Sequence, residues 1–188
     1  EFEEIWGKKG WFSIGLGPFR KLTNINSSSN QENNFQFSDY ALAEAHRNIF
    51  NEEINFQSLS WLIDLNYKRL IEKENNTSNE STLIYNSLIK FINESKLLPH
   101  NAQIEGIDKK GIIFKDGNGN PIPILELSDG YRSILSVTFE LLYQLVRVYG
   151  AQAVFADIEK GKMEINLPGV VLIDEIDAHL HPSWQVEV

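Results

Sequence analysis

The sequence predicts an α/β fold, and three features carry that prediction. Residues 170–173 are four apolar residues, three of them β-branched, which favours a parallel strand buried on both faces. Residues 128–150 carry apolar side chains at helical spacing, a pattern typical of a long amphipathic helix. Earlier in the chain, further helical patterns give way after Pro99 to short alternating stretches, which indicate strands.

The first predicted element is an aromatic-rich strand within residues 10–20 that ends in a Gly-Pro turn. Its two glycines, Gly15 and Gly17, invite comparison with a phosphate-binding loop. The pattern G-x-x-x-x-G-K-[ST] is absent from the whole chain, however, so we assign both glycines to a bend or to close backbone packing. The following residues 24–37 are rich in Asn, Ser and Gln and predict a polar, mobile loop.

Three helices are predicted between residues 38 and 98. Ser38 and Asp39 precede the first as a cap, the second covers residues 58–73, and the third covers residues 81–95. The predicted inward side chains of the second helix are Leu59, Leu62 and Leu65, with Tyr67 and Leu70 as further candidates.

Three short strands are predicted next, at residues 103–107, 111–115 and 122–127. The loop at residues 116–120 resembles the start of a calcium-binding EF-hand, but the position that requires Glu is Leu127. The long helix follows, and residues 151–168 are expected to be an irregular or short-strand connection. The predicted inward face of the long helix consists of Ile134, Val137, Leu141, Leu145 and Val148.

The bulk composition excludes several classes of protein. A net charge of −9 over 188 residues argues against a surface that binds nucleic acid throughout, although a local basic patch remains open. No apolar run is long enough to cross a membrane, and we expect no signal peptide. The absence of Cys rules out disulfides and suits a cytoplasmic protein. Because the chain lacks an initial Met and stops soon after its most informative motif, we expect an excerpt of a longer protein.

Two adjacent carboxylates, Asp174 and Glu175, follow the apolar run at 170–173. Ligands bind at the carboxyl ends of strands in open α/β sheets, so these side chains are candidates for a ligand site. The pattern is that of a Walker B motif, in which the first carboxylate holds Mg²⁺ and the second polarises a water molecule. We assign the first role to Asp174 and the second to Glu175.

Two alternatives to this interpretation stay open. The first is a hydrophobic strand that simply ends at solvent. The second is a metal cluster, which is disfavoured because the chain has no Cys and only two further histidines, His46 and His100. The cluster would comprise Asp174, Glu175, Asp177, His179 and His181.

Ser128 occupies the expected amino-terminal cap of the long helix, and Gly130 lies two residues further on. A helix amino terminus presents unpaired N–H groups and partial positive charge, so Ser-x-Gly at that place is able to bind a phosphate with little obstruction. An ordinary capped helix is the alternative for this motif taken alone.

The order of these motifs resembles that of ATP-binding-cassette (ABC) ATPases. Leu-Ser-Asp-Gly at 127–130 resembles the signature motif, and one long helix separates it from the Walker B stretch. The amino-acid sequences of residues 126–133 and 171–185 are similar to those of AAA-type, SMC- and RecF-like ATPases of bacterial defence. The resemblance is greatest to the ATPase subunits of Septu-type and retron-associated systems, and more distant to the OLD-family nucleases. Residues 15–20 and 61–65 add to it.

The resemblance implies a partial ABC-type P-loop NTPase head with a helical insertion and an antiparallel β-hairpin region. It divides the chain into a strand and loop (1–37), the insertion (38–98) and a core that runs from signature to Walker B (99–188). Two heads would enclose ATP and Mg²⁺ in a head-to-tail dimer, where Ser128 and Gly130 contact the nucleotide held by the other subunit. Asp174 would hold the metal and Glu175 would be catalytic. Asp177 would couple the two sites, and His179 and His181 would be structural or interface residues.

The resemblance also implies an HNH-type nuclease partner that the ATPase holds inactive until a phage signal arrives, or direct action on nucleic acid; no membrane partner is expected. Such ATPases need a Walker A motif and a switch histidine, and neither is within residues 1–188. We therefore expect these residues alone to be inactive. Alternatives are an OLD-type nuclease, a DNA-repair clamp with inserted heptad repeats, and a non-catalytic scaffold lobe.

Overall fold

The computed structural model describes residues 12–17, 57–77, 79–95, 97–98, 102–108 and 111–175. Within these ranges the elements combine helices with parallel and antiparallel strands, which confirms the predicted α/β class. In chain order they are β1 (Phe12–Leu16), α1 (Gln57–Asn75), α2 (Glu80–Glu94), β2 (Gln103–Asp108), β3 (Gly111–Lys115), β4 (Pro121–Pro123), a 3₁₀ turn (Ile124–Glu126), α3 (Asp129–Tyr149), α4 (Ala151–Glu159) and β5 (Gly169–Ile173).

The described strands form two separate sheets. β1 and β5 pair in parallel, with Phe12 opposite Gly169 and Leu16 opposite Ile173. β2, β3 and β4 form an antiparallel sheet in sequential order, as the predicted hairpin region requires. The third strand is shorter than predicted, because the chain leaves the sheet after Pro123 and enters the 3₁₀ turn.

The larger of the two hydrophobic cores lies where the four described helices meet the antiparallel sheet. Leu62 of α1, Leu88 of α2, Phe139 of α3 and Phe155 of α4 are all completely buried there. Leu59, Leu62 and Leu65 of α1 contribute to this core, which confirms the first part of the inward face predicted for that helix.

Helix α3 is buried on two sides. Its predicted stripe packs against β1, where Val137 joins Phe12, Ile14 and Leu16 in a second, smaller core. A further stripe, which the sequence analysis missed, faces the other helices and consists of Leu135, Phe139, Leu142 and Val146. The prediction was incomplete because a helix between two layers is apolar on both sides.

Helix α4 contradicts the predicted irregular connection. Its buried residues recur at helical spacing and close one end of the larger core. They are Ala151, Val154, Phe155 and Ile158. The chain leaves α4 through a turn in which Gly161 has a φ of 87°.

The prediction that Tyr67 and Leu70 face inward was wrong. Their side chains are 66% and 49% exposed, respectively. In this half of α1 the inward positions hold polar residues instead. Asn66 Nδ2 donates a hydrogen bond of 2.6 Å to the Ile107 carbonyl of β2, and the guanidinium carbon of Arg69 lies 4.1 Å from the ring centroid of Tyr85 on α2.

Strand β5 also differs from its prediction, since it is not buried on both faces. Val171 is 42% exposed and Leu172 is 53% exposed. Among the described residues β5 pairs with β1 alone, and α3 packs on β1. The predicted loop at 24–37 and the helix after Ser38 and Asp39 lie outside the described residues. None of the described helices is long and apolar enough to cross a membrane.

Candidate functional site

The acidic turn, Asp174 and Glu175, directly follows β5 at the carboxyl edge of the parallel pair. The Asp174 N–H donates to the Leu16 carbonyl at 2.9 Å, so β1 holds the first residue of the turn in place. Glu175 has a φ of 45°, in the left-handed region that residues other than Gly seldom occupy. Both residues are exposed. The turn therefore presents two carboxylates to solvent from a fixed backbone position.

The second predicted site is the amino end of α3. Ser128 is its cap residue, with an extended backbone, and its side chain makes no capping hydrogen bond. The first turn of a helix has N–H groups without helical partners, which suit an anion. Asp129, which would oppose an anion there, forms an ion pair with Arg132. Gly130 adds no side chain beyond the backbone, so the first turn stays open.

The direction of α3 relates these two sites. At the carboxyl end of α3, the Tyr149 hydroxyl donates to the Pro168 carbonyl and accepts from the Phe12 N–H at 3.4 Å. Phe12 and Pro168 lie at the amino ends of β1 and β5. The helix therefore runs antiparallel to both strands, and Ser128 lies toward the end of the unit where the acidic turn is found.

The two sites are nevertheless well separated. Ser128 is 21 residues before Tyr149, which corresponds to about 30 Å along a helix axis. Asp174 is five residues beyond Gly169, which corresponds to about 16 Å along a strand. The sites are thus offset along the common axis by on the order of 10 to 15 Å. Along this axis the amino end of α3 therefore extends beyond the acidic turn.

The remaining predicted site residues, Asp177, His179 and His181, lie outside the described residues. The alternative metal cluster includes all three, so it stays a prediction. Within the described part of the chain, no group of three or more His, Asp or Glu side chains is arranged to hold a metal ion.

Two residues at the amino ends of the strands, Tyr149 and Gly169, were not predicted to make the contacts that they make there. Tyr149 contacts a residue 137 positions away, which no local pattern reveals. A Cβ at Gly169 would lie 2.8 Å from the Phe12 ring carbon Cδ1 and 3.2 Å from the Phe12 carbonyl oxygen. The Pro-Gly pair before the apolar run was the available signal for Gly169.

A parallel strand pair, a long helix packed on it and an acidic turn at the strands' carboxyl edge are features of an α/β domain of the P-loop ATPase kind. The chain belongs to the AAA-domain family described as "AAA domain, putative AbiEii toxin, Type IV TA system", whose family model matches residues 13–188. This membership confirms the resemblance to AAA-family ATPases.

Two proteins named as retron ATPases and one named as a Septu protein are similar to this chain. It is 27% identical over 166 residues to "Retron Vc95 probable ATPase" of Vibrio cholerae, an alignment that covers 81% of this chain and 28% of that protein. It is 33% identical over 63 residues to "Septu protein PtuA" of Bacillus mycoides, covering 34% of this chain and 7% of that protein. It is 33% identical over 76 residues to "Retron Ec83 probable ATPase" of Escherichia coli, an alignment that covers 40% of this chain and 12% of that protein. The chain thus spans little more than a quarter of the length of the Vibrio relative.

Proposed function

We propose that this chain is part of an ATPase in which nucleotide-driven dimerisation controls a defence response. The observation that carries the proposal is that the amino end of α3 and the acidic turn lie toward the same end of the α3, β1 and β5 unit. The relatives named as probable ATPases of retrons support ATP hydrolysis as the reaction. They also support the assignment to defence.

The acidic turn has the donors that a Mg²⁺ site of an ATPase uses. Mg²⁺ takes one or two protein carboxylates and fills its other positions with water and phosphate oxygens, which fits two exposed carboxylates at a strand end. Bound Mg²⁺ would neutralise charge on the phosphate oxygens. Asp174, whose N–H is held by β1, is the residue we assign to the metal.

Glu175 is the residue that we assign to catalysis. Its carboxylate accepts a proton from the attacking water and so raises the nucleophilicity of that water. The left-handed backbone of Glu175 supports this role, since uncommon backbone conformations concentrate at functional sites. The carboxylate is one residue beyond the proposed metal ligand, so both groups serve the same phosphate.

Ser128 and Gly130 act on the nucleotide of a second subunit. The axial offset of on the order of 10 to 15 Å is too long for one phosphate to bridge the two sites of one chain. A head-to-tail dimer removes that difficulty, because the amino end of α3 from one copy then faces the acidic turn of the other. The Ser128 hydroxyl and the first N–H groups of α3 donate hydrogen bonds to the γ-phosphate.

We extend the proposal to the parts of the site beyond residue 175. Asp177 couples the two nucleotide sites across the dimer, and His179 and His181 have a structural or interface role. The similarity to a Septu protein supports a partner within a defence system. We propose an HNH-type nuclease or a nucleic acid as that partner, with the nucleotide state of the ATPase controlling it.

The replacement Glu175→Gln in the full-length protein tests the catalytic assignment. Gln keeps the size of the side chain but cannot accept a proton, so we expect ATP binding to persist while turnover falls by at least about a hundredfold. Nucleotide affinity and steady-state hydrolysis measure the two effects separately. Glu164→Gln, which changes an exposed carboxylate before β5, is the matched control. Hydrolysis by Glu175→Gln at the wild-type rate would remove Glu175 from this role.

A further inference from the structure

We propose that Tyr149 is a positioning residue that fixes the acidic turn relative to α3. This inference rests on the function proposed above, since it concerns how Glu175 is held in place. Tyr149 lies at the far end of the strands from Asp174 and Glu175 and touches no part of the proposed nucleotide site. It acts through the strands that end at that site.

The Tyr149 hydroxyl joins three elements at one point. It donates to the Pro168 carbonyl just before β5 and accepts from the Phe12 N–H at the start of β1, at 3.4 Å. The tyrosine itself is the last residue of α3. A single side chain therefore links the end of the helix to the beginnings of both strands.

Close packing keeps the two strands in register at the same point. Phe12 pairs with Gly169, and the Phe12 carbonyl oxygen lies 3.2 Å from the place where a Cβ on Gly169 would stand. Only glycine at position 169 therefore permits this close approach of β5 to β1. At the opposite end, the Asp174 N–H bonds to the Leu16 carbonyl.

The strands transmit this position to the acidic turn. β1 and β5 are paired over all five residues of each strand, so a displacement at Gly169 reaches Asp174 through a hydrogen-bonded ladder. A movement of α3 caused by contact at Ser128 would reach the strands at Tyr149. The geometry thus links the helix that bears Ser128 to the strand that bears Glu175.

The test is Tyr149→Phe in the full-length protein, which deletes the hydroxyl and keeps the ring. We expect kcat for ATP hydrolysis to fall about three- to tenfold, as the loss of positioning hydrogen bonds predicts. The KM for ATP and the ATP affinity should stay at wild-type values, while the thermal unfolding midpoint should fall by a few degrees because two hydrogen bonds are lost. Tyr67→Phe, which removes a hydroxyl from a side chain that is 66% exposed, is the control and should change none of these quantities.

Measuring Tyr149→Phe in a Glu175→Asp variant distinguishes a positioning role of Tyr149 from a packing role. Glu175→Asp retracts the carboxylate by one methylene. If Tyr149 acts through Glu175, adding Tyr149→Phe to the Glu175→Asp variant should lower kcat by less than about a further twofold. An equal loss from Tyr149→Phe in both backgrounds would overturn the proposal. A raised KM for ATP would also overturn it, because weaker nucleotide binding indicates a general packing role and not the positioning of the catalytic carboxylate.

The same experiments distinguish this inference from the function on which it rests. If Glu175→Gln abolishes turnover and Tyr149→Phe hydrolyses ATP at the wild-type rate, the role of Tyr149 fails and the ATPase assignment stands. If Glu175→Gln hydrolyses ATP normally, both fail, because Tyr149 then has no catalytic carboxylate to position.

Discussion

Glu140 is a carboxyl group inside the core, on the side of α3 that faces the other helices. Its side chain is 2% exposed, and its Oε1 accepts a hydrogen bond of 2.8 Å from Gln144 Nε2. Burial raises the pKa of Glu140, because the ionised form loses its hydration, and the bond from Gln144 opposes this only in part. The folded state therefore holds the Glu140 proton more tightly than the unfolded state does.

The pH dependence of stability should report this group. With a folded pKa above the unfolded value, the contribution of Glu140 is fully present below the ordinary Glu range and is lost as pH rises through the raised pKa. We expect Glu140→Gln to remove that loss, since Gln has no proton to release. Urea unfolding at several pH values above 4.5 measures how the free energy of unfolding of each variant changes with pH. Glu126→Gln, at an exposed site, is the control. The same pH dependence in Glu140→Gln and wild type would contradict the assignment.

Single residues were the hardest part of the structure to predict. The carboxylates Asp174 and Glu175 were predictable because a local pattern, an apolar run ending in Asp-Glu, identifies them. The hydrogen bonds of Tyr149 depend on which elements meet, and its partners Phe12 and Pro168 come from opposite ends of the chain. No local pattern carries that information.

At the scale of elements, the carboxyl half of α1 is held by polar contacts. Asn66 Nδ2 donates to the Ile107 carbonyl, and its Oδ1 accepts from both the Nε and an NH₂ group of Arg69. Glu72 Oε1 accepts from the Ser81 N–H of α2 at 3.3 Å. These contacts attach the helix to β2 and α2 where no apolar side chain of α1 faces inward.

The replacement Asn66→Ala tests this attachment. It leaves the half-buried carbonyl of Ile107 and the Arg69 side chain without their partner, so we expect a loss of about 1 to 3 kcal/mol in the free energy of unfolding. The adjacent control Tyr67→Ala removes an exposed side chain and should change stability by less than about 0.5 kcal/mol. Urea unfolding compares the two, and equal losses would show that Asn66 makes no special contribution.

Elements with one apolar face were predictable, and elements whose burial depends on distant partners were not. The period of Leu59, Leu62 and Leu65 located α1, and Ser128 and Gly150 gave the ends of α3. Helix α4 was missed although its spacing was visible, since it is short and lies between two turn signals. The exposure of β5 was also missed, because an apolar run does not say how many strands will flank it.

At the scale of the whole molecule, the central claim is that each nucleotide site is made by two subunits. Within one chain the amino end of α3 and the acidic turn lie toward the same end of the fold but are offset by on the order of 10 to 15 Å along its axis. The order of the motifs could be predicted from the sequence. The offset could be estimated only from the direction of α3 in the structure. In the proposed dimer, the second copy brings its Ser128 to the phosphate that Glu175 of the first copy serves.

The most direct test mixes two inactive variants of the full-length protein and measures ATP hydrolysis. Ser128→Ala removes the hydroxyl that contacts the nucleotide of the other subunit, and Glu175→Gln removes the base within its own subunit. A mixed dimer has one site with both residues intact, so an equal mixture should recover about a quarter of wild-type activity. The control mixes Ser128→Ala with a double variant that carries both Ser128→Ala and Glu175→Gln. This mixture has no intact site and should recover no activity. Recovery in the first mixture alone is the predicted result. If the first mixture gives only the mean of the two separate variants, the two motifs act within one chain and the account of a shared site is wrong.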